Sequence, residues 1–548
     1  MKPIDAITEK REAPPVKGSE LPPYWKNADR DFRGTGLWLD ETAIDWIERA
    51  AAAKPDQTAI AGGGAAITFA ELNAKIDDLA GGFTAMGLGH GDVIAIQLPN
   101  TAEFILSFLA ITRIGGVMQT IHLPYRAAEL EGLLAHSGAR AVICLARFKD
   151  YPLAEVHVGL KDKLAHLDHV FALGEPTEGA VSYSDLFGTG TAPPSRRPSP
   201  DDPHVILYTS GTTSSPKGVA VSAHPFGSNA RHSVKEFQIS DDDVILSPAP
   251  FSHLYGLFSL QIGLCAGVTT YVLPAFTPPD FVAAVAEGQA SVLFTGPAHH
   301  AACQKAGLYE GADLSSVRLV ICSGSSCPSD LAEYVDGQLP GGQFLQLWGM
   351  TELQAGTYNR PGDSPRNRYD TVGLVTPGNE ICVVGDDGAR LGTGEEGELQ
   401  IRGSSVFPGY YNNIEANDQS FTDGWFHTGD LATIDGDGYL RITGRTKDVI
   451  NRGGVKFNPA DVEALIGKMD DVAICAIVPM KDSVLGERAC VFVQPAAGAD
   501  VSLETITAFL DANQMAKNKW PEHLELVESF PLTPTNKVMK GRLKPAGG

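Results

Sequence analysis

From Tyr208 to Gly218 the chain reads Tyr-Thr-Ser-Gly-Thr-Thr-Ser-Ser-Pro-Lys-Gly. A loop of small hydroxyl residues, glycine and one lysine has the groups that a polyphosphate needs. Glycine lets the backbone approach, N–H and O–H groups donate to phosphate oxygens, and Lys217 adds positive charge. The loop is not a Walker A sequence, because Lys217 lies between Pro216 and Gly218 rather than in Gly-Lys-Ser/Thr. Its plain alternative is a flexible Ser/Thr-rich linker. Five more stretches carry chemistry. Ser323-Gly-Ser-Ser326 is a small-residue loop after a β-rich run, open enough for a flat base. Gln346-Leu-Trp-Gly-Met-Thr-Glu352 offers an aromatic ring, a hydroxyl and a carboxylate oxygen of the kind Mg²⁺ accepts. In Thr428-Gly-Asp430 the carboxylate can accept from two neighbouring hydroxyls. Gly444-Arg445, Lys447 and the run 531–540 with Lys537 add cations. Singly, these also read as a turn, a buried aromatic, a solvated charge cluster and a tail lysine. Neither metal-site spacing nor a Ser/His/Asp signature competes with them.

In this order the motifs resemble those of the adenylate-forming superfamily, which comprises acyl-CoA synthetases, peptide-synthetase adenylation domains and luciferases. The resemblance runs from about residue 40 to 544. It implies that Thr209, Ser210, Gly211, Thr212, Thr213 and Lys217 hold ATP phosphates, and that the backbone of Gly324, Ser325 and Ser326 lies along adenine. It implies that Gln346, Leu347, Trp348, Gly349, Met350 and Thr351 border the nucleotide, with Thr351 at the α-phosphate and Glu352 helping to hold Mg²⁺. Trp348 stands where the family has tyrosine, so it can stack but offers no phenol. Asp430, Ile442 and Arg445 are implied at the ribose and phosphates, and Lys447 at a hinge. Lys537 matches the lysine that neutralises charge during adenylation, with Asn536 in place of the family's glycine, a change that positive φ tolerates. Thr212, Glu352 and Lys537 are thus the implied catalytic set. His253, Tyr255, Gly324 and Trp348 are implied in an acyl pocket, His253 reading equally well as a neutral core histidine. Gly453 and Gly454 are implied along a thiol path, with Lys456 as a further coenzyme A contact.

The implied reaction joins a carboxylate to ATP, giving acyl-adenylate and pyrophosphate. Coenzyme A then takes the acyl group and releases AMP. The overall flavour, including Asn451-Arg-Gly-Gly454, resembles ligases for alicyclic, aromatic and medium-chain acids, with cyclohexanecarboxylate as the favoured example. Two alternatives stay open: a stand-alone adenylating enzyme that loads a carrier-protein phosphopantetheine, and a non-catalytic nucleotide-binding protein. Lys537, Glu352 and Asp430 argue against the latter. A lysine acetyltransferase or deacetylase acting on Lys537 is a further implied partner, and either a monomer or a homodimer is compatible.

Bulk properties bound this reading. With 43 Lys plus Arg against 66 Asp plus Glu, the net charge of −23 argues against generic binding to nucleic acid or anionic lipid. The charged first twenty residues lack the apolar core of a signal peptide, and no run is long enough to insert in a membrane. Eight cysteines without paired spacing indicate neither a disulfide scaffold nor a zinc site. A cytoplasmic enzyme is the expectation.

The elements that must position these residues follow from periodicity. The length of 548 residues points to roughly three or four structural units. Short β-rich runs at 93–97, 141–144, 205–208, 244–246, 292–294 and 317–321 alternate with helix-like segments, which predicts α/β layers with largely parallel strands. Thr68-Phe-Ala-Glu71 reads as a capping box before an apolar helix face, with Gly81-Gly82 and Gly87 expected to end or weaken that helix. The stretch 104–118 reads as a buried helix. Beyond about 370, glycine-rich turns between short strands predict a β-rich subdomain, and the tail after 445 predicts a compact α+β domain. The expected division is a large multi-layer domain over 1–446 and a small mobile domain over 447–548 that carries Lys537.

Overall fold

The computed structural model describes residues 31–209, 217–452, 455–482, 485–533 and 537–545, and for Val455 and Lys456 the backbone alone. Within them the chain divides into two units. One comprises 31–209, 217–380 and 402–424, and the other 381–401 together with the described residues from 425 onward. The boundary expected at 446/447 falls inside the second unit.

The first unit holds two large sheets. Eight strands of one run in the order Tyr410–Tyr411, Lys217–Ser222, Pro203–Thr209, Val117–Thr120, Val93–Gln97, Ala141–Leu145, His169–Leu173 and Val181–Ser182. From Pro203–Thr209 to Val181–Ser182 all neighbours are parallel. Lys217–Ser222 turns back antiparallel on Pro203–Thr209, and Tyr410–Tyr411 pairs antiparallel with it in turn. Val93–Gln97 and Val117–Thr120 are buried at every position, as strands covered on both faces require. The nine-stranded sheet is parallel through Val292–Thr295, Leu319–Cys322 and Gln343–Met350, then reverses at Gln354–Tyr358. Side-chain alternation splits its core. Leu293, Val320 and Phe344 pack with Phe281 and Leu331, while Ile321 and Leu345 pack with Tyr255 and Phe258 of the helix Leu254–Ala266.

The capping box forms: Thr68 N donates to Glu71 Oε2 at 2.9 Å, and Glu71 N donates back to Thr68 Oγ1 at 3.3 Å. The helix Phe69–Ala85 ends just before Gly87, whose φ is +74°, as expected, but it runs on through Gly81-Gly82, where the sequence expectation also placed an end or a weakening. A Cβ at Gly81 would lie 1.9 Å from the Thr191 carbonyl oxygen, and one at Gly82 2.0 Å from that of Leu186. The pair is glycine because the chain from 186 to 191 crosses the helix in direct contact, so sterics and not helix termination select it. The run 104–118 likewise resolves into the buried helix Ala102–Arg113, a turn at Gly115 with φ +71°, and the start of the strand Val117–Thr120. The strand expected at 317–321 is Leu319–Cys322, because Val317 N donates to Leu314 O in a turn.

In the second unit, residues 397–401 pair antiparallel with Trp425–Ile434, which pairs with Leu440–Arg445 in a register that sets Asp430 opposite Arg445. A further sheet contains Val455–Phe457, Ile450–Arg452, Gly486–Pro495, Val472–Asp482 and His523–Leu526. On one face Ile477, Val491 and Val493 pack with Val462, Ile466, Ile506 and Leu510 of the helices Ala460–Ile466 and Leu503–Ala512. On the other, Ala476, Val478, Cys490 and Phe492 are covered by Phe530, Val538 and Leu543. The C-terminal segment is thereby tied to the sheet, with Lys537 in the stretch it anchors.

Candidate active site

Strands Pro203–Thr209 and Lys217–Ser222 bring Thr209 opposite Lys217, so the two ends of the phosphate-loop motif lie side by side. Ser210, Gly211, Thr212 and Thr213 lie outside the described residues, as do Gly453, Gly454, Asn536 and the side chain of Lys456. Beneath the strand ends, Tyr208 and His136 share a hydrogen bond of 2.8 Å between the phenol and Nδ1, and burial raises the Tyr208 phenol well above its ordinary pKa. Lys217 Nζ sits 4.6 Å from the centroid of the Tyr410 ring. The Tyr410 phenol donates to Glu352 Oε1 at 2.8 Å, and Phe407 N donates to the Glu352 carbonyl at 2.7 Å. Tyr410 did not stand out in the sequence.

Gly324, with φ +93°, opens the turn that Ser325 and Ser326 continue after Leu319–Cys322. Gln346 is buried, and its amide donates to the Arg368 and Tyr369 carbonyls at 3.1 and 2.7 Å, so it pins a neighbouring segment. Leu347 points into the core with Tyr255. Trp348 is buried against Gly356, where a Cβ would lie 2.3 Å from the indole. Gly349, Met350, Thr351 and Glu352 follow at the reversal between Gln343–Met350 and Gln354–Tyr358. Tyr255 donates its hydroxyl to the Ile321 carbonyl at 2.6 Å, and its burial raises its pKa far above that of a free phenol. His253 caps the helix Leu254–Ala266, its Nδ1 accepting from Tyr255 N at 3.2 Å. Next to it lies His122, also missed in the sequence, with Nδ1 3.0 Å from Ser252 Oγ and a ring stacked 6.3 Å from that of His253. Burial, then the nearby His253, lowers its pKa to about 3, so its ring is neutral at physiological pH.

In the second unit Arg445 Nε donates to Asp430 Oδ1 at 2.6 Å, a pair aligned by the strand register. Ile442 opposes Ala432 in the same ladder, and Lys447 follows in the short turn Thr446–Asp448. Lys537 reaches the surface of its unit but is crowded by protein atoms and lies in the field of Arg445, Asp430, Lys447 and Asp448. Crowding first, and repulsion by Arg445 second, lower its pKa. Lys447 is lowered for the same two reasons. The loop that carries Lys537 is closed by Thr533 N donating to Lys537 O at 2.7 Å and Lys537 N donating to Thr533 Oγ1 at 3.0 Å. Lys540 locks it further through an ion pair of 2.7 Å with Glu463, which also accepts from Ile477 N. Lys537, remote in sequence, thus joins Asp430, Arg445 and Lys447 in one electrostatic group.

Among the described residues no helix is long and apolar enough to cross a membrane, and no cluster of three or more His, Cys, Asp or Glu is placed to hold a metal. Glu352 would offer a Mg²⁺ ion one carboxylate, buried and oriented by the Tyr410 phenol. That fits Mg²⁺, which keeps several waters and shares phosphate oxygens.

The chain matches the AMP-binding enzyme family over residues 47–411 and the AMP-binding enzyme C-terminal domain over 461–537. It belongs to that family, the adenylate-forming superfamily. It is 30% identical to the medium-chain fatty-acid–CoA ligase of Escherichia coli K12 over 94% of this chain and 92% of that one. It is 30% identical to the feruloyl-CoA synthase of an Amycolatopsis species over 91% and 98% of the two chains. Among solved structures it is similar to ATP-bound MatB from Rhodopseudomonas palustris, at 28% identity and a TM-score of 0.80, over 91% of this chain and 98% of that one.

Proposed function

We propose that this chain is an AMP-forming carboxylate–CoA ligase. A carboxylate oxygen of the acid attacks the α-phosphorus of ATP, the bond to pyrophosphate breaks, and an acyl-adenylate remains. The thiol of coenzyme A, losing its proton, then attacks the acyl carbon and AMP leaves with the electron pair. Support comes from the grouping of Lys537 with Asp430 and Arg445. In this reading Asp430 accepts from the ribose hydroxyls, Arg445 orients that carboxylate, and Lys537 offsets charge as the acid approaches the phosphate. Trp348 flanks the nucleotide, and Lys217 meets the phosphates. Glu352 would hold Mg²⁺, which when bound shields the phosphate charges that repel a carboxylate. Lys447 serves as the hinge about which a small domain beginning at 447 turns between the two half-reactions, and Gly453 and Gly454 leave room for the thiol arm.

For the acid we favour an alicyclic, aromatic or medium-chain monocarboxylate, with cyclohexanecarboxylate first. Its support is the aromatic bulk of Trp348, Tyr255 and His253 and relatives named for medium-chain fatty acids and ferulate. The eight cysteines are all free, which supports a reducing, cytoplasmic setting. The deciding experiment measures pyrophosphate release across short, medium, alicyclic and aromatic acids, with and without coenzyme A. The expected outcome is release only with ATP, Mg²⁺ and an acid, then AMP and a thioester. ADP and phosphate as products would overturn adenylation. Adenylate that passes only to a carrier-protein phosphopantetheine would replace coenzyme A as the acceptor.

A further inference from the structure

We propose that Tyr410 is a positioning residue that sets the Glu352 carboxylate and the Lys217 ammonium for the metal–nucleotide complex. This rests on the reading of Glu352 as the Mg²⁺ ligand and Lys217 as a phosphate contact. Both of them touch Tyr410. Its hydroxyl donates to Glu352 Oε1 at 2.8 Å, and its ring face lies 4.6 Å from Lys217 Nζ. Tyr410 and Glu352 are 5% and 6% exposed, so the hydrogen bond is made away from bulk water, where its geometry is held and its strength is greatest.

The chemistry of the pair matters as much as its geometry. A buried carboxylate needs donors, and an arginine or lysine would supply them by cancelling its charge. A phenol is a neutral donor. It fixes the oxygen and leaves the negative charge for a cation. The other contact follows the same logic: an aromatic face holds an ammonium without neutralising it, as a carboxylate would. One side chain thus orients an anion and a cation and quenches neither.

Tyr410 is itself clamped. Its N donates to Asn417 Oδ1 at 2.6 Å, and Asn417 Nδ2 donates to its carbonyl at 3.1 Å. Its ring meets Phe407 edge-on at 4.9 Å, and Phe407 N is bonded to the Glu352 carbonyl. Register pairs Tyr410 with Val219, two residues beyond Lys217 in the same strand. The segment 407–410 therefore holds Glu352 at both its backbone and its side chain.

The test uses the full chain with Mn²⁺ as probe, its binding followed by electron paramagnetic resonance in the presence of a non-hydrolysable ATP analogue. Analogue binding is measured separately with the metal chelated. Tyr410→Phe should weaken Mn²⁺ binding about 10–100-fold, the usual loss when a partner of a metal ligand is removed. Metal-free analogue binding should stay within about twofold of wild type, since the ring still seats Lys217. Tyr410→Leu should weaken both. Glu352→Gln is the control. Were it to leave Mn²⁺ binding unchanged, the assignment of Glu352 as ligand would fail. If Glu352→Gln weakens Mn²⁺ and Tyr410→Phe does not, the positioning role of Tyr410 is overturned. An equal loss in both measurements for Tyr410→Phe would also overturn it, as the mark of a merely structural residue. Should Tyr410→Phe not fold, Asn417→Ala decides: the released clamp should weaken Mn²⁺ severalfold, and wild-type binding would overturn the proposal.

Discussion

At Lys537, crowding and the neighbouring Arg445 make the ammonium easier to deprotonate than that of a free lysine, whose ordinary pKa is near 10.5. If this charge serves adenylation, the alkaline limb of the acyl-adenylate rate should begin below that value. The sign is fixed: a lowered lysine pKa means the cation is lost earlier as pH rises. A pH profile of pyrophosphate release checks it, and Lys537→Arg, which stays charged, should flatten the limb in whatever activity survives. Asp430→Asn would keep the shape of the Arg445 contact but lose its charge and one acceptor for the ribose. It should weaken ATP binding by about 1.5–3 kcal/mol, the range for hydrogen bonds to charged groups, as titration calorimetry would show. Asp430, Arg445 and Lys537 were legible because each sits in a short motif. Tyr410 was not, because its partners Glu352 and Lys217 are remote in the chain and only strand pairing brings it to them.

Elements show the same division between local and non-local causes. The capping box at Thr68 was legible because both partners lie within one turn. Gly81-Gly82 was misread because the reason for glycine is a carbonyl more than a hundred residues on. Two substitutions separate these effects. Gly132, in the helix Ala127–Ser137, has nothing within 4 Å of an added Cβ, so Gly132→Ala should stabilise by about 0.5–1 kcal/mol. Gly82→Ala has the same propensity gain but drives a methyl into the Leu186 carbonyl, and should destabilise by about 1–3 kcal/mol. Urea unfolding of both variants should give opposite signs. In the second unit, Lys540→Met would leave the partly buried Glu463 without its cation, whose carboxyl burial already raises. A loss of about 1–3 kcal/mol is expected, read from the unfolding transition of that unit alone.

For the whole molecule the two half-reactions should come apart. Lys537→Ala should cut acyl-adenylate formation about 100–1,000-fold, the scale of one well-aimed charge contact in a desolvated site. Given preformed acyl-adenylate and coenzyme A, the same folded variant should still make thioester. Single-turnover assays of each step measure this, and equal loss in both would count against a rotation that carries Lys537 away.

By itself the sequence determined the family, the α/β class, most strand and helix positions and the identities of the motif residues. These depend on local spacing, on periodicity and on side-chain chemistry that a short window contains. Only the tertiary structure decided that Gln346 and Tyr255 spend their polar groups on backbone carbonyls, that Asp430, Arg445, Lys447 and Lys537 share one electrostatic neighbourhood, and that Tyr410 joins Glu352 to Lys217. Such facts are set by sheet register and by which chain segment crosses which. A hydrogen bond or a charge interaction acts over a few ångströms of space, and distance along the chain says nothing of it.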